Sequence, residues 1–125
     1  SEMCIRDSIY TVDVTKPKGE KVTITSMADG TPFSLDKMYK VALNSYRGNG
    51  GGELLTKGSG ISQDELKDRI LYSTDKDLRY YLMQYIEKKG VIEPHALGQW
   101  KFIPEEWVEP AAKRDYEYLF GKVEK

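Results

Sequence analysis

The chain has 125 residues, 39% of them apolar and 31% charged, which places it among ordinary globular sequences and sets it apart from disordered ones. Its formal net charge of −1, with Lys and Arg interleaved with Asp and Glu, excludes a basic stripe that would track nucleic-acid phosphates. The single cysteine, Cys4, excludes an internal disulfide framework and a Cys-rich zinc site. Apolar runs are only a few residues long, so no membrane span is predicted.

The opening Ser1-Glu2-Met3-Cys4-Ile5-Arg6-Asp7-Ser8 lacks the apolar core of a signal peptide and reads as a non-native or unstructured leader. Two readings stand for it: the natural chain extends upstream of Ile9, or this is an ordinary N-terminal extension. Residues 9–125 are expected to form one domain.

Tyr10, Val12 and Val14 alternate with polar residues, and so do Val22 and Ile24. This period of two predicts a pair of strands, with Lys16-Pro17-Lys18-Gly19-Glu20 as the hairpin turn. Ala28-Asp29-Gly30-Thr31-Pro32 is a second turn. Tyr39, Val41 and Leu43 then alternate again, which predicts a third strand and an antiparallel meander.

The density of glycine in Arg47-Gly48-Asn49-Gly50-Gly51-Gly52 predicts a loop. It contains neither G-x-x-x-x-G-K-[ST] nor a strand-to-helix G-x-G-x-x-G, so a sharp structural turn and a ligand-contacting nest both stay open. Ser62-Gln63-Asp64-Glu65 fits a capping box ahead of Leu66, Ile70 and Leu71. A second helix, capped by Ser73 or Thr74, is expected to present Leu78, Tyr81, Leu82, Tyr85 and Ile86 on one face and to end at Gly90. Trp100 to Pro104 reads as a short strand, and a last helix as starting near Pro110. The fold class is α+β: a small antiparallel sheet with helices packed on it.

Catalytic constellations do not assemble in this pattern. His95 is the sole histidine and reads as a surface or interface residue; Asp75 and Asp77 fit a helix N-terminus better than a metal loop. No Ser sits in a G-x-S-x-G elbow. Tyr46, flanking the glycine cluster, has two readings: core packing, or a ring on which a planar ligand stacks.

Tyr39-Lys40-Val41-Ala42-Leu43-Asn44-Ser45-Tyr46, followed by Asn49-Gly50-Gly51-Gly52, resembles a segment of the 5′-nucleotidase C-terminal domain. That family comprises periplasmic and surface nucleotidases, UDP-sugar hydrolases and cyclic-nucleotide phosphodiesterases. The likeness covers Ile9 to Ile61, and the helical tail looks most like bacterial bifunctional metallophosphatase/5′-nucleotidases. The resemblance implies an exported, periplasmic setting and a non-catalytic role for this chain, as the second half of a substrate-binding domain; the alternative is a stand-alone, non-catalytic binding or interaction module of the same fold. The partners implied are a nucleoside or nucleotide and a metallophosphoesterase domain, N-terminal to this one, that holds two divalent metal ions. The ligand motifs of such a domain (Asp-x-His, Asn-His-Glu, Gly-His-x-His) are absent here, so no cofactor is assigned to this chain. If the first half of the domain is missing, an open sheet edge is expected to allow homodimers.

Carried over residue by residue, the resemblance makes Asn44, Tyr46, Asn49, Gly50, Gly51 and Gly52 pocket-wall residues. Arg47 joins them as a contact for a ligand carboxylate or phosphate, with a surface ion pair as the alternative. The family pattern Gly-Gly-Asp-Gly followed by Phe or Tyr is replaced by Gly50-Gly51-Gly52-Glu53 and Leu54. Glu53 and Leu54 therefore mark a divergent position, where base stacking is weakened or absent; either Tyr46 substitutes, or the parent enzyme prefers a different substrate.

Overall fold

The structure, a computed structural model, describes residues 7–121. The expected leader lies outside the described residues except for Asp7 and Ser8. Ser8 opens the first strand and is buried. The chain divides into two compact units, one containing residues 39–96 and the other residues 7–38 and 97–121 of the described chain.

The second of these units holds the sheet. Strand β1 spans Ser8–Asp13, β2 spans Val22–Met27 and β3 spans Trp100–Ile103. Their order is β2-β1-β3, with β1 antiparallel to β2 and parallel to β3. The hairpin predicted from Pro17 and Gly19 is present. Asp13 N donates to Lys21 O at 2.7 Å, Glu20 N donates to Pro17 O at 3.2 Å, and Gly19 takes φ 93°. A bulge between Ile9 and Tyr10 shifts the β1–β2 register by one residue.

The third strand differs from the sequence expectation. Residues 39–44 are irregular backbone, and the third strand is Trp100–Ile103. Alternation marks two faces but supplies no neighbour; β1 has two edges, and β2 and β3 occupy them. The sheet is therefore mixed, not a wholly antiparallel meander. Its centre is aromatic. Tyr10 pairs with Trp100 in register, their rings stack at 6.0 Å with 7° between planes, and Phe102 meets Trp100 edge-on at 5.1 Å. Tyr10 is the apolar residue of this unit that is buried among those described.

Helix α4, Glu105–Phe120, follows β3 directly and packs against it. It starts five positions before the expected Pro110. Glu105 and Glu106 suit the positive end of the helix dipole, and Trp107 N and Val108 N both donate to Pro104 O, at 3.1 and 3.2 Å. Pro110 lies inside the helix and gives up one backbone bond near its start.

The other unit carries α1 (Ser45–Gly48), α2 (Glu65–Asp68) and α3 (Leu78–Lys89), with a 3₁₀ turn at Gly51–Glu53 and a π turn at Leu54–Gly58. The capping box forms as read: Glu65 N donates to Ser62 Oγ at 3.3 Å and Ser62 N to Glu65 Oε2 at 3.2 Å. The helix behind it is one turn long, so only Leu66 is buried, while Ile70 and Leu71 are exposed beyond its end. Helix α3 is capped by Asp77, whose Oδ1 accepts from Tyr80 N at 3.0 Å, in place of the expected Ser73 or Thr74. Gly90 ends it, with Lys88 and Lys89 in its last turn.

Two aspartates tie the turns of the sheet unit. Asp13 Oδ1 accepts from Thr15 Oγ1 at 2.6 Å and Thr15 N at 3.0 Å; Asp29 Oδ1 accepts from Thr31 Oγ1 at 2.6 Å and Thr31 N at 2.9 Å. These bonds favour the ionised carboxylates, the threonine hydroxyl most, and hold both below the ordinary value of 3.8. A lowered folded-state pKa stabilises the fold at pH above the unfolded-state value, and that stability is lost as pH falls through the lowered one. The expected outcome is a loss of stability on acidification below about pH 4 that is shallower in the Asp13→Asn/Asp29→Asn double variant, measured by denaturant titration across pH 2 to 7.

Candidate functional site

The glycine loop is built from α1 onward. Asn44 sits just before α1 with extended backbone, and its Oδ1 accepts from Arg47 N at 2.9 Å, the standard use of Asn at a helix start. The chain then turns sharply: Gly48 N donates to Asn44 O, Asn49 N to Ser45 O, Gly50 N to Arg47 O, and Glu53 N to Gly50 O, at 2.9 to 3.1 Å. Gly50 and Gly52 adopt φ 94° and 69°, the left-handed region in which a side chain is strained.

Room, as well as backbone angle, requires these glycines. A Cβ on Gly50 would stand 2.6 Å from Gln63 Oε1 and 3.2 Å from Leu66 Cδ1. One on Gly51 would meet Tyr46 O at 2.5 Å and the Tyr46 ring atoms Cδ2 and Cε2 at 2.6 Å. One on Gly52 would fall on Arg47 Nη1. Each glycine thus admits a different neighbour. The loop is anchored from the far side by Gln63, whose Nε2 donates to Asn49 O at 2.9 Å, and by the buried Leu66.

Tyr46 rests one edge of its ring on Gly51 and leaves 63% of the residue open to solvent. It is an exposed ring on a fixed support, and the core-packing reading of Tyr46 does not apply within this unit. The Arg47 guanidinium lies 5.5 Å from the centre of that ring and donates from Nη1 to Gly51 O at 3.3 Å.

Glu53 and Leu54 stand apart from this arrangement. Glu53 is the one non-glycine residue with positive φ among the described residues, at 56°, and its carboxylate pairs with Lys57 Nζ at 2.7 Å in solvent. Leu54 opens the π turn and is 42% exposed. Asn44, Tyr46, Arg47, Asn49 and Gly50 to Gly52 thus form one interlocked group. Gln63 and Leu66 complete it without having been singled out in the sequence; the capping box that fixes α2 beside the loop was the signal for them.

Among the described residues, no group of three or more His, Cys, Asp or Glu could hold a metal ion. His95, the one imidazole, has its Nδ1 3.3 Å from Glu93 O in an exposed segment. A shallow depression of about 300 Å³ is lined by Tyr85, Lys89, Val91, Ile92 and Glu93, none of them in the glycine-loop group. No helix among the described residues is long and apolar enough to cross a membrane.

Residues 7–57 match the family model for the 5′-nucleotidase C-terminal domain. The likeness covers less than half of the chain. The match takes in the hairpin and the whole glycine loop through Lys57. Beyond the 5′-nucleotidase match, the chain is similar to the trifunctional nucleotide phosphoesterase protein YfkN of Bacillus subtilis (strain 168), with 29% identity over 106 residues and 76% of this chain aligned. It spans 7% of the length of that relative. No solved structure matches the chain.

The backbone of Glu53 is left-handed, the conformation that glycine adopts freely. Glu53→Gly is therefore expected to raise stability by about 0.5–1 kcal/mol despite the loss of the exposed Lys57 pair. Chemical denaturation of the two proteins side by side measures it.

Proposed function

We propose that this chain is part of the substrate-recognition domain of an exported, metal-dependent 5′-nucleotidase-type phosphohydrolase, with Tyr46 as a stacking face for the nucleoside base. The observation that carries this reading is the open Tyr46 ring seated on Gly51. An aromatic ring exposed on a rigid support loses little entropy when a flat ligand covers it, and base stacking of this kind is worth about 1–3 kcal/mol. The family match over the same loop supports a nucleoside as the flat ligand, as does the phosphoesterase name of the relative.

Leu54 supports the same assignment from the other direction. Where the family pattern has a ring, this chain has an aliphatic side chain, half exposed, which offers apolar contact without a stacking face. Tyr46 is the aromatic side chain of the loop that takes over. Asn44 acts through its cap on α1, and Asn49 through its carbonyl to Gln63; both shape the wall of the pocket.

The donor set described here does not fit the two divalent ions that the family implies, since carboxylates and His95 do not cluster. Activation of the attacking water is accordingly assigned to a metallophosphoesterase domain outside these residues, and the part played by this chain is to bind and orient the nucleoside.

Two outcomes are expected. AMP incubated with this chain and Mn²⁺ or Zn²⁺ stays unhydrolysed, as read by phosphate release; turnover abolished by a point change within the chain contradicts the proposal. Adenosine titrated to millimolar concentration shifts the NMR resonances of Tyr46, Asn49 and Gly50 to Gly52, and Tyr46→Leu weakens the interaction by about tenfold or more. Unmoved resonances in this loop rule out the stacking reading.

A further inference from the structure

We infer that Arg47 is a positioning residue that locks Tyr46 to the glycine loop, and that it does not contact the phosphate of a ligand. The inference rests on the reading of Tyr46 as the stacking ring, and goes beyond it by assigning what holds that ring in place.

Three observations converge on Gly51 and its neighbours. Arg47 Nη1 donates to Gly51 O at 3.3 Å, and Gly51 is the residue that carries the Tyr46 ring edge. The guanidinium carbon is 5.5 Å from the centre of the same ring, within cation–π range. A Cβ on Gly52 would occupy the place of Nη1, so the backbone of the loop is kept bare where the guanidinium lies. Arg47 thus bridges the ring and its support from one side chain.

The backbone of Arg47 is fixed too, since its N–H is taken by the Asn44 cap and its carbonyl by Gly50 N. The residue is half-buried, whereas Tyr46 beside it is exposed. Among the described residues Arg47 forms no ion pair, so the surface pairing considered from sequence is not its role. A long cationic side chain free in solvent keeps its rotamer freedom; one folded back onto its own loop gives that up for the contacts it makes there. A planar fork suits this bridging task better than the point charge of lysine.

The test separates positioning from phosphate contact by comparing a neutral nucleoside with its monophosphate. In this chain, Arg47→Ala is expected to weaken adenosine and AMP alike, by about tenfold, because both need the ring in place. Arg47→Lys, a milder change that keeps the charge, is expected to weaken both in equal proportion and by less. Gly52→Ala should imitate Arg47→Ala with the arginine still present, and the double variant should lose little more than either single one. Loss of AMP binding with adenosine spared, in either Arg47 variant, overturns the inference.

A second readout needs no ligand. Selective labelling of tyrosine rings should show the Tyr46 resonances of the free chain displaced in Arg47→Ala, Arg47→Lys and Gly52→Ala, with the resonances of Tyr10 unmoved. Unchanged Tyr46 resonances in all three variants overturn the lock. If those resonances shift but Tyr46→Leu leaves adenosine binding intact, the lock stands and the stacking reading of Tyr46 is the part that fails.

Discussion

The glycine loop depends on the absence of three Cβ atoms. At Gly50, Gly51 and Gly52, the space that a side chain would fill is taken by Gln63 and Leu66, by the Tyr46 ring, and by the Arg47 guanidinium in turn. Close packing between a bare backbone and four different side chains converts a flexible composition into a fixed platform. The left-handed angles at Gly50 and Gly52 turn the chain within a few residues, so α1, the loop and the start of α2 come together. Adding one methyl at Gly51 meets backbone and ring atoms, which do not give way cheaply, whereas at Gly50 and Gly52 it displaces the ends of Gln63 and Arg47 and strains a left-handed backbone.

This arrangement recasts what the glycines do. A glycine-rich loop invites the reading of a nest of N–H groups that binds an anion, yet Gly50 N and Glu53 N are already bonded to carbonyls of the same turn. The loop serves as a floor, and the surface it presents to solvent is aromatic. On the proposed reading, recognition through the Tyr46 ring face favours a flat, weakly polar ligand such as a base and leaves the phosphate chemistry to other polypeptide. That division is in keeping with a segment of the 5′-nucleotidase C-terminal domain and with a chain that spans 7% of a nucleotide phosphoesterase relative.

Much of the local structure was legible in the sequence because it is decided by neighbours along the chain. The Pro17–Gly19 hairpin, the Ser62–Glu65 capping box and the stop at Gly90 all depend on contacts a few residues apart, and all formed as read. Asn44, Tyr46, Arg47, Asn49 and Gly50 to Gly52 come together for the same reason, being near one another in the chain, while Glu53 and Leu54 stand apart. What sequence could not supply was pairing at a distance. Trp100–Ile103 joins β1 across nearly ninety positions, and alternation at Tyr39 to Leu43 carried no information about whether an edge was free for it. The helix cap at Asp77 displaced Ser73 and Thr74 because cap preference is shared by all three residue types. The role of Arg47 was hidden for a different reason: a side chain that folds back leaves no spacing pattern.

The α3 stripe of Leu78, Tyr81, Leu82, Tyr85 and Ile86 shows the limit of periodicity from another side. The pattern identifies a face correctly as apolar, yet these residues remain 39–54% exposed in the structure. An amphipathic pattern specifies what a helix offers and not what meets it.

The most direct measurement of the central claim is an NOE spectrum of the chain in solution. Cross-peaks are expected from the Gly51 Hα protons to the Tyr46 ring and from Gly50 Hα to the Leu66 methyl groups, since those positions are in van der Waals contact. A spectrum in which the Tyr46 ring shows no contact with Gly51, with narrow averaged shifts throughout Gly48 to Gly52, would contradict it.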